Sequence, residues 1–186
     1  CTKAKVNREG VEMNYVTMDI ETTGLDIYKD EPIQLAYTIH NELDVLLTQD
    51  SFYLNIDRDL PAIITKITGT SQNTLRAEGI SPSEGVKEWQ AILKMYQPVT
   101  LIGYNTLNFD FPMVQNWINR NSSIRFKFPP ICNIIDVMVI LAAKRNSKWL
   151  KLAKAGEVCG IEFAADSLHD ALADVKLTWE IYKTIR

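Results

Sequence analysis

Residues 15–24 have the sequence Tyr15-Val16-Thr17-Met18-Asp19-Ile20-Glu21-Thr22-Thr23-Gly24, a β-type run that ends in two acids and a turn. Side chains two residues apart on a strand point to the same face, so Asp19 and Glu21 project together while Ile20 points into the sheet. Neighbouring carboxylates repel each other unless a cation or a proton lies between them. The pair therefore indicates either a cation site or an acidic strand end that faces solvent.

The elements around this strand predict a mixed α/β fold. Alternating apolar residues over 33–39, and a further run over 45–54, complete an antiparallel meander with the first strand. A capping box at Ser81 and Glu84 begins a helix that Pro98 ends. Further elements follow in alternation: a strand over 99–102, a helix over 110–120, a strand over 131–135 leading into a helix through Ala143, and helices over 148–158 and 168–185. We expect a loose polar arm over residues 1–14 and one domain over residues 15–186.

Composition excludes some classes of protein. The 186 residues are 46% hydrophobic and carry a net charge of −3, an ordinary globular balance. No apolar run approaches the length of a membrane span, so no membrane partner is expected. The cysteines Cys1, Cys132 and Cys159 give neither a disulfide framework nor a zinc pattern. They predict reduced thiols in a cytoplasmic protein, with Cys132 and Cys159 in the core. A bacterial or phage-type intracellular context is a separate expectation.

Two further groups of residues could carry chemistry. Asp110 follows Gly103-Tyr104-Asn105 and Phe109 and stands at the start of a helix, where an aspartate also serves as an N-cap. His169 and Asp174 are five residues apart, which places them roughly 140° apart on one helix. They share a site more easily if His169 lies before the helix or in its first turn. An exposed histidine and a solvated aspartate are the alternative.

Taken together, three segments resemble the motifs of the DEDD (DnaQ-like) 3′-5′ exonuclease superfamily. They are Asp19 to Gly24, Asn105 to Asp110, and His169-Asp170-Ala171-Leu172-Ala173-Asp174. The histidine five residues before the last aspartate resembles the DEDDh branch. Smaller matches are Ile67-Thr68-Gly69, Asp136 and Gly160-Ile161-Glu162. The resemblance implies a ribonuclease H-like fold with a five-stranded mixed sheet, three antiparallel strands plus two parallel ones, flanked by helices.

The resemblance also implies roles. Asp19, Glu21, Asp110 and Asp174 would hold two divalent cations, Mg²⁺ or Mn²⁺, the ions that hard oxygen ligands suit. His169 would be the general base. The substrate contacts would be Thr22, Thr23, Gly24, Leu25, Asn105 and Phe109. Asn105 stands five residues before Asp110, a spacing closer to exonuclease I-like members than to the proofreading group, which leaves its contact open.

The implied reaction is release of nucleoside 5′-monophosphates from the 3′ end of a nucleic acid, expected to be single-stranded. DNA is favoured over RNA, although no short motif announces recognition of the sugar. A polymerase or replication partner, or a homodimer, is compatible with the sequence. A catalytically silent exonuclease-like module that binds nucleic acid or a protein is the main alternative. A glycosidase needs only two carboxyls and leaves Asp110, His169 and Asp174 unexplained.

Basic residues offer two candidate phosphate-binding surfaces. Lys144, Arg145, Lys148, Lys151 and Lys154 fall in a stretch without acids. On a helix over 148–158 its three lysines share one broad side, which could face the cleft or only solvent. The weaker second candidate is the set Arg120, Arg125 and Lys127.

Overall fold

The computed structural model describes residues 12–122, 133–164 and 170–186. It contains five strands and seven helices in these ranges. The strands are β1 (Asn14–Thr22), β2 (Pro32–His40), β3 (Leu46–Tyr53), β4 (Val99–Gly103) and β5 (Ile134–Asp136). The helices are α1 (Ala62–Thr68), α2 (Gln72–Glu78), α3 (Pro82–Met95), α4 (Asp110–Asn121), α5 (Val137–Arg145), α6 (Leu152–Val158) and α7 (Ala171–Ile185).

The strands form one sheet in the order β3-β2-β1-β4-β5. β1 pairs antiparallel with β2, and β2 with β3, whereas β4 runs parallel to β1 and β5 runs parallel to β4. The predicted mixed five-stranded sheet, a three-stranded meander plus two parallel strands, is therefore confirmed. The register sets Asp19 opposite Ala36, which fixes what lies beside the first acid.

The alternation along β1 divides the molecule into two layers. Val16, Met18 and Ile20 are buried in the larger core with residues of α3 and α4, including Trp89 and Trp117. The opposite face of the sheet lies under α7, which packs on β1 and β2. Ile20 thus points into the core as predicted, and Asp19 and Glu21 are left on the face that α7 covers.

The capping residues and Pro82 begin α3 where the sequence predicts the helix. The Ser81 hydroxyl accepts a hydrogen bond from the Glu84 backbone N–H, and the Glu84 carboxylate accepts one from the Ser81 backbone N–H. Pro82 fills the first turn, where a missing N–H costs nothing. The helix ends at Met95, just before Pro98.

Several element boundaries differ from the prediction. The helices α1 and α2 were not predicted; α1 buries no residue and α2 buries only Leu75, so neither produces a long apolar period. α6 begins at Leu152 rather than at residue 148, because Lys151 is extended. α7 begins at Ala171; the predicted helical residues 168 and 169 lie outside the described residues, as do 131 and 132 of the last predicted strand.

The predicted N-terminal arm and the predicted positions of the cysteines can also be compared with the structure. Asn14 already belongs to β1, although the predicted arm included it; residues 1–11 lie outside the described ranges. Cys159 is half-buried against the core cluster beneath α7, and Cys1 and Cys132 are not among the described residues. Within the described part of the chain, no helix has the length and apolar character needed to cross a bilayer.

Candidate active site

Three carboxylates meet at the end of β1. Asp19 and Glu21 come from the strand and Asp174 from the first turn of α7, and one oxygen from each lies within 4.8 Å of the others. Asp174 is only 9% exposed. The structure thus brings together three of the four predicted metal ligands.

The position of Asp174 follows from the way α7 begins. Asp170 caps the helix, since its carboxylate accepts a hydrogen bond of 2.9 Å from the Ala173 backbone N–H. Ala171 and Val175 pack on Ala36, the residue that β2 places opposite Asp19. Small apolar side chains therefore seat the first turn of α7 on the sheet, with Asp174 beside the acids of β1.

Asp110 approaches the same cluster from α4. The helix begins at Asp110 itself and Phe109 occupies the cap position, so the alternative that Asp110 is the N-cap is wrong. Asp110 is 4% exposed, and the backbone N–H groups of Ile20 and of Asp110 itself favour the charged form of its carboxyl. Asp110 is outside the set of three whose oxygens lie within 4.8 Å, yet its charge acts on both acids of β1.

The crowding of these acids raises their pKa values. Burial raises the pKa of Asp19 well above its ordinary value, and the charges of Asp110, Asp174 and Glu21 add to the effect. Burial, followed by the charges of Asp174 and Asp110, raises the pKa of Glu21 to about 8. Burial also raises the pKa of Asp110 to about 7, against the opposing effect of its backbone N–H donors.

Among the described residues, no cation offsets the charge of these acids. Without a cation, protons must be retained near neutral pH to relieve the repulsion. An all-carboxylate donor set suits a hard divalent cation such as Mg²⁺ or Mn²⁺ and does not suit soft-ligand metals. The residues present therefore fit divalent-cation binding.

Asp136 fixes the loop that leads to Asp110. Its buried carboxylate accepts hydrogen bonds of 3.1 Å from the backbone N–H groups of Asn105 and Leu107. The same carboxylate caps α5 through the N–H groups of Met138 and Val139. Asn105 has a φ of 58°, a left-handed conformation that this clamp holds in place. Sequence reasoning noted Asp136 only as a match to the family; its position directly after an apolar strand was the available signal.

Two other predicted substrate contacts lie in this loop. The Asn105 side-chain oxygen accepts a hydrogen bond of 3.0 Å from the Asn108 amide, so part of its polar surface is occupied. Phe109 is half-buried and packs against the larger core beside the start of α4.

The two threonines of the turn after β1 make hydrogen bonds to other groups of the protein. The Thr22 hydroxyl donates to the Gly24 carbonyl at 2.6 Å, and the Thr23 hydroxyl donates to Asp30 at 2.9 Å. A Cβ on Gly24 would lie 2.4 Å from the Asp30 carboxylate, which explains the glycine. Leu25 is 83% exposed. The surface that this turn offers to a ligand is therefore the backbone at Gly24 and the side chain of Leu25.

The loop that follows, residues 24–31, is held from two directions. Arg58 pairs with Asp30 at 2.9 Å and also contacts Thr23 and Glu31. Arg120 donates to the carbonyls of Tyr28 and Asp30, both at 2.8 Å. The prediction that Arg120 contributes to a phosphate surface is thus not supported, because its guanidinium is engaged with the backbone. No motif in the sequence pointed to Arg58 or Asp30.

The other basic candidates are dispersed. Lys148 and Lys151 precede α6, while Lys154 lies within it and pairs with Glu157 at 2.7 Å. The predicted shared helical side is therefore wrong, since the first two lysines are not helical. Lys144 and Arg145 are exposed in the last turn of α5. Arg125 and Lys127 lie outside the described residues, as does His169, the predicted general base.

Comparison with known proteins places this geometry in a family. Residues 16–182 match the family model RNase_T, described as exonuclease. Ribonuclease T of Shewanella denitrificans is 26% identical over 98% of this chain and 84% of its own length. The epsilon subunit of DNA polymerase III from Rickettsia prowazekii is 27% identical over 90% of this chain and 71% of its own length.

Longer proteins contain a similar region. The PolC-type DNA polymerase III of Mycoplasma genitalium is 26% identical over 92% of this chain, but the match spans 11% of that polymerase. A structure of E. coli exonuclease I with single-stranded DNA and a zinc ion superposes with a TM-score of 0.81 at 21% identity, covering 94% of this chain and 40% of that one. This likeness confirms the ribonuclease H-like exonuclease fold. With its motifs, its fold and a family match over most of its length, the chain belongs to the RNase_T exonuclease family of the DEDD superfamily.

Proposed function

We propose that this chain is a two-metal-ion 3′-5′ exonuclease of the DEDDh branch that releases nucleoside 5′-monophosphates from a single-stranded 3′ end, with DNA favoured over RNA. The observation that carries the proposal is the meeting of Asp19, Glu21 and Asp174 within 4.8 Å, with buried Asp110 acting on the same cluster. Membership of the exonuclease family and the single-stranded DNA bound by E. coli exonuclease I support the choice of substrate.

Asp19, Glu21, Asp110 and Asp174 would hold the two cations in this proposal. Two such ions, when bound, stabilise the attacking and leaving oxygens of an in-line displacement at phosphorus. The acids of β1 are held by the sheet, and Asp110 is buried in the first turn of α4. The donor set is therefore preorganised, which lowers the cost of assembling four carboxylates.

His169 is proposed to accept the proton of the attacking water at its imidazole nitrogen. An imidazole has an ordinary pKa of about 6.5, so it can accept a proton near neutral pH. The segment that contains it precedes Asp170, the cap of α7, and so lies one residue along the chain from an element bound to the sheet. The catalytic assignment rests on the motif and on this position in the chain.

The turn from Thr22 to Leu25 is proposed to receive the 3′-terminal nucleotide. Gly24 has no side chain, so a sugar can approach the backbone closely there. The exposed Leu25 side chain offers an apolar surface for the terminal base. Asn105 and Phe109 are proposed to border the same nucleotide from the loop before α4.

A gel time course tests the proposal. The purified chain is incubated with matched 5′-labelled single-stranded DNA and RNA in Mg²⁺, Mn²⁺ or EDTA. The expected result is a ladder that shortens from the 3′ end, faster for DNA, and that EDTA abolishes. Asp174→Asn should lose nearly all turnover, whereas Asp59→Asn, at an exposed acid on the β3–α1 connection, should retain it.

Two results would contradict the proposal. Degradation of neither substrate with either metal would favour a silent binding module. Asp174→Asn with near-normal turnover would remove this residue from the site. His169→Ala should lower turnover by about 10²–10⁴-fold, the usual contribution of a general base, and an unchanged rate and pH profile would refute that role.

A further inference from the structure

A pocket with both apolar and polar lining residues, Leu46 and Trp179 among them, lies between α7 and the strands β2 and β3. Its volume is about 270 Å³, and its lining includes Thr38 and His40 of β2, Gln49 of β3, and Lys176 and Glu180 of α7. Thr38 is two residues along β2 from Ala36, the residue opposite Asp19. Two residues of a strand span about 7 Å, so the pocket is near the acidic cluster and distinct from it.

Buried polar atoms in this pocket lack partners. The Thr38 hydroxyl oxygen and His40 Nδ1 make no hydrogen bond, although these residues are only 1% and 7% exposed. The hydroxyl of Thr17, paired across the strands with Thr38, is a third buried atom without a partner. Buried polar groups in proteins are nearly always hydrogen-bonded. Three such atoms on one patch of sheet therefore indicate that something polar binds beside them.

The imidazole of His40 cannot easily turn to find another partner. It stacks on the indole of Trp179, with ring centroids 4.0 Å apart and planes 8° from parallel. Burial, with a further effect from Lys183, lowers the pKa of His40 to about 4, so the ring is neutral at neutral pH. One of its nitrogens then carries a hydrogen and is available as a donor.

The ion pairs on the rim of the pocket leave one cation unpaired. Lys176 has no ion-pair partner among the residues that the structure describes. Glu180 is paired with Lys183 at 2.7 Å, and Asp44 is paired with Arg186. The margin therefore retains one uncompensated positive charge. Ammonium, hydroxyl and amide donors from Lys176, Thr38 and Gln49 surround the same space.

We propose that this pocket binds a phosphate group. A phosphate accepts several hydrogen bonds through oxygens that carry negative charge, which matches a surplus of donors and a single free cation. If the proposed exonuclease function holds, the source is a backbone phosphate of the strand whose 3′ end lies at the acidic cluster. Free phosphate has the same chemistry and is the other source.

An NMR titration tests the site without any turnover. Inorganic phosphate is added to the metal-free protein while the imidazole signals are followed; the chain has two histidines, so His169 serves as an internal reference. We expect saturable shifts of the His40 signals at millimolar phosphate and none with chloride at matched ionic strength. Thr38→Val and Lys176→Gln should abolish the shifts. No shift in the wild type, or equal shifts in both variants, which would mean an adventitious ion only, overturns the proposal.

A kinetic comparison identifies the source of the phosphate. For a backbone phosphate, Lys176→Gln and Thr38→Val should raise KM for a twelve-nucleotide strand by about 3–10-fold, the scale of one lost phosphate contact, and leave KM for a dinucleotide and kcat unchanged. Lys94→Gln, on the helix that packs against the other face of the sheet, should change neither KM. Phosphate binding with an unchanged KM assigns the pocket to free phosphate. A chain that degrades nothing but still binds phosphate contradicts the proposed function alone.

Discussion

Two aspartates at this end of the sheet are given opposite tasks by their neighbours. Asp136 is surrounded by backbone N–H groups, which compensate its charge and make it a structural clamp. Asp19 is surrounded by other carboxylates, which raise its pKa. The residue type alone does not separate these roles; the donors within reach do. The sequence could identify the motif residues, but not the backbone groups that face each one.

The raised pKa values predict an unusual pH dependence for the metal-free protein. Glu21 has an ordinary pKa of 4.5 and a folded pKa of about 8, so the folded state binds the proton more tightly. Its contribution to stability is fully present below pH 4.5 and is lost as the pH rises through 8. We expect Tm in EDTA to fall between pH 5 and pH 8.5, measured by differential scanning calorimetry.

Divalent cations should reverse this loss. Mg²⁺ or Mn²⁺ should raise Tm strongly at pH 8.5 and little at pH 5, because protons compete with cations for the carboxylates. Asp174→Asn removes one charge from the cluster and should reduce both the pH dependence and the cation effect. A Tm in EDTA that rises over the same pH range would contradict the shifts.

Asp136→Ala should destabilise the fold and lower turnover together. The change leaves four backbone N–H groups without their acceptor, two at α5 and two in the loop before Asp110. A loss of about 1–3 kcal/mol in the free energy of unfolding is expected for buried donors left unsatisfied, measured by urea denaturation. Asp50→Ala, at an exposed position of β3, is the control. An Asp136→Ala variant with unchanged stability and activity would contradict this structural role of Asp136.

At the scale of elements, α4 serves the site at both ends. Asp110 begins the helix, and Arg120 in its last turn donates to two carbonyls of the loop after β1. The helix therefore sets the distance between a candidate metal ligand and the loop that carries Leu25. Periodicity predicted α3 and α4 well, because their apolar faces are long, and capping also predicted the start of α3. The short helices α1 and α2 were not predicted because they bury almost no apolar side chains.

Arg120→Ala should loosen this loop and weaken substrate binding. Two hydrogen bonds of 2.8 Å are lost, so KM should rise while kcat changes less, since the carboxylates stay in place. Arg120→Lys should rescue little, because an ammonium cannot bridge two carbonyls as a guanidinium does. Arg76→Ala removes an exposed ion pair and is the matched control. Equal KM values for Arg120→Ala and the wild type would refute the role.

At the scale of the whole molecule, the sheet separates two helical layers, each with its own apolar core. α3 and α4 pack on the first face, and α7 covers the second, where the acidic cluster and the phosphate pocket lie. The alternation of β1 made this division predictable from sequence. The sequence did not predict which basic side chains are free to bind phosphate. Lys154 pairs with a neighbour in the chain, whereas Arg58 and Arg120 are bound by groups distant in sequence.

Binding of a nucleic acid should accordingly depend only moderately on salt. The net charge is −3, and two bound divalent cations would reverse its sign. Because the described lysines without ion pairs are spread over several elements rather than gathered on one surface, we expect contact with about three or four phosphates, which corresponds to a log–log slope of roughly −2 to −3 for a single strand. Fluorescence anisotropy of a labelled strand with Asp174→Asn measures this slope. A slope steeper than about −5 would indicate a larger basic surface.

The central position of β1 has a kinetic consequence. The strand pairs with β2 from Tyr15 to Thr22 and with β4 from Asn14 to Thr17. Amide groups in such a strand exchange with solvent only when large parts of a protein open. Two of the four acids are therefore carried by the segment expected to exchange its hydrogens most slowly, and the other two by the starts of helices. The site would come apart at its helical half first, with the strand keeping its half until the molecule unfolds.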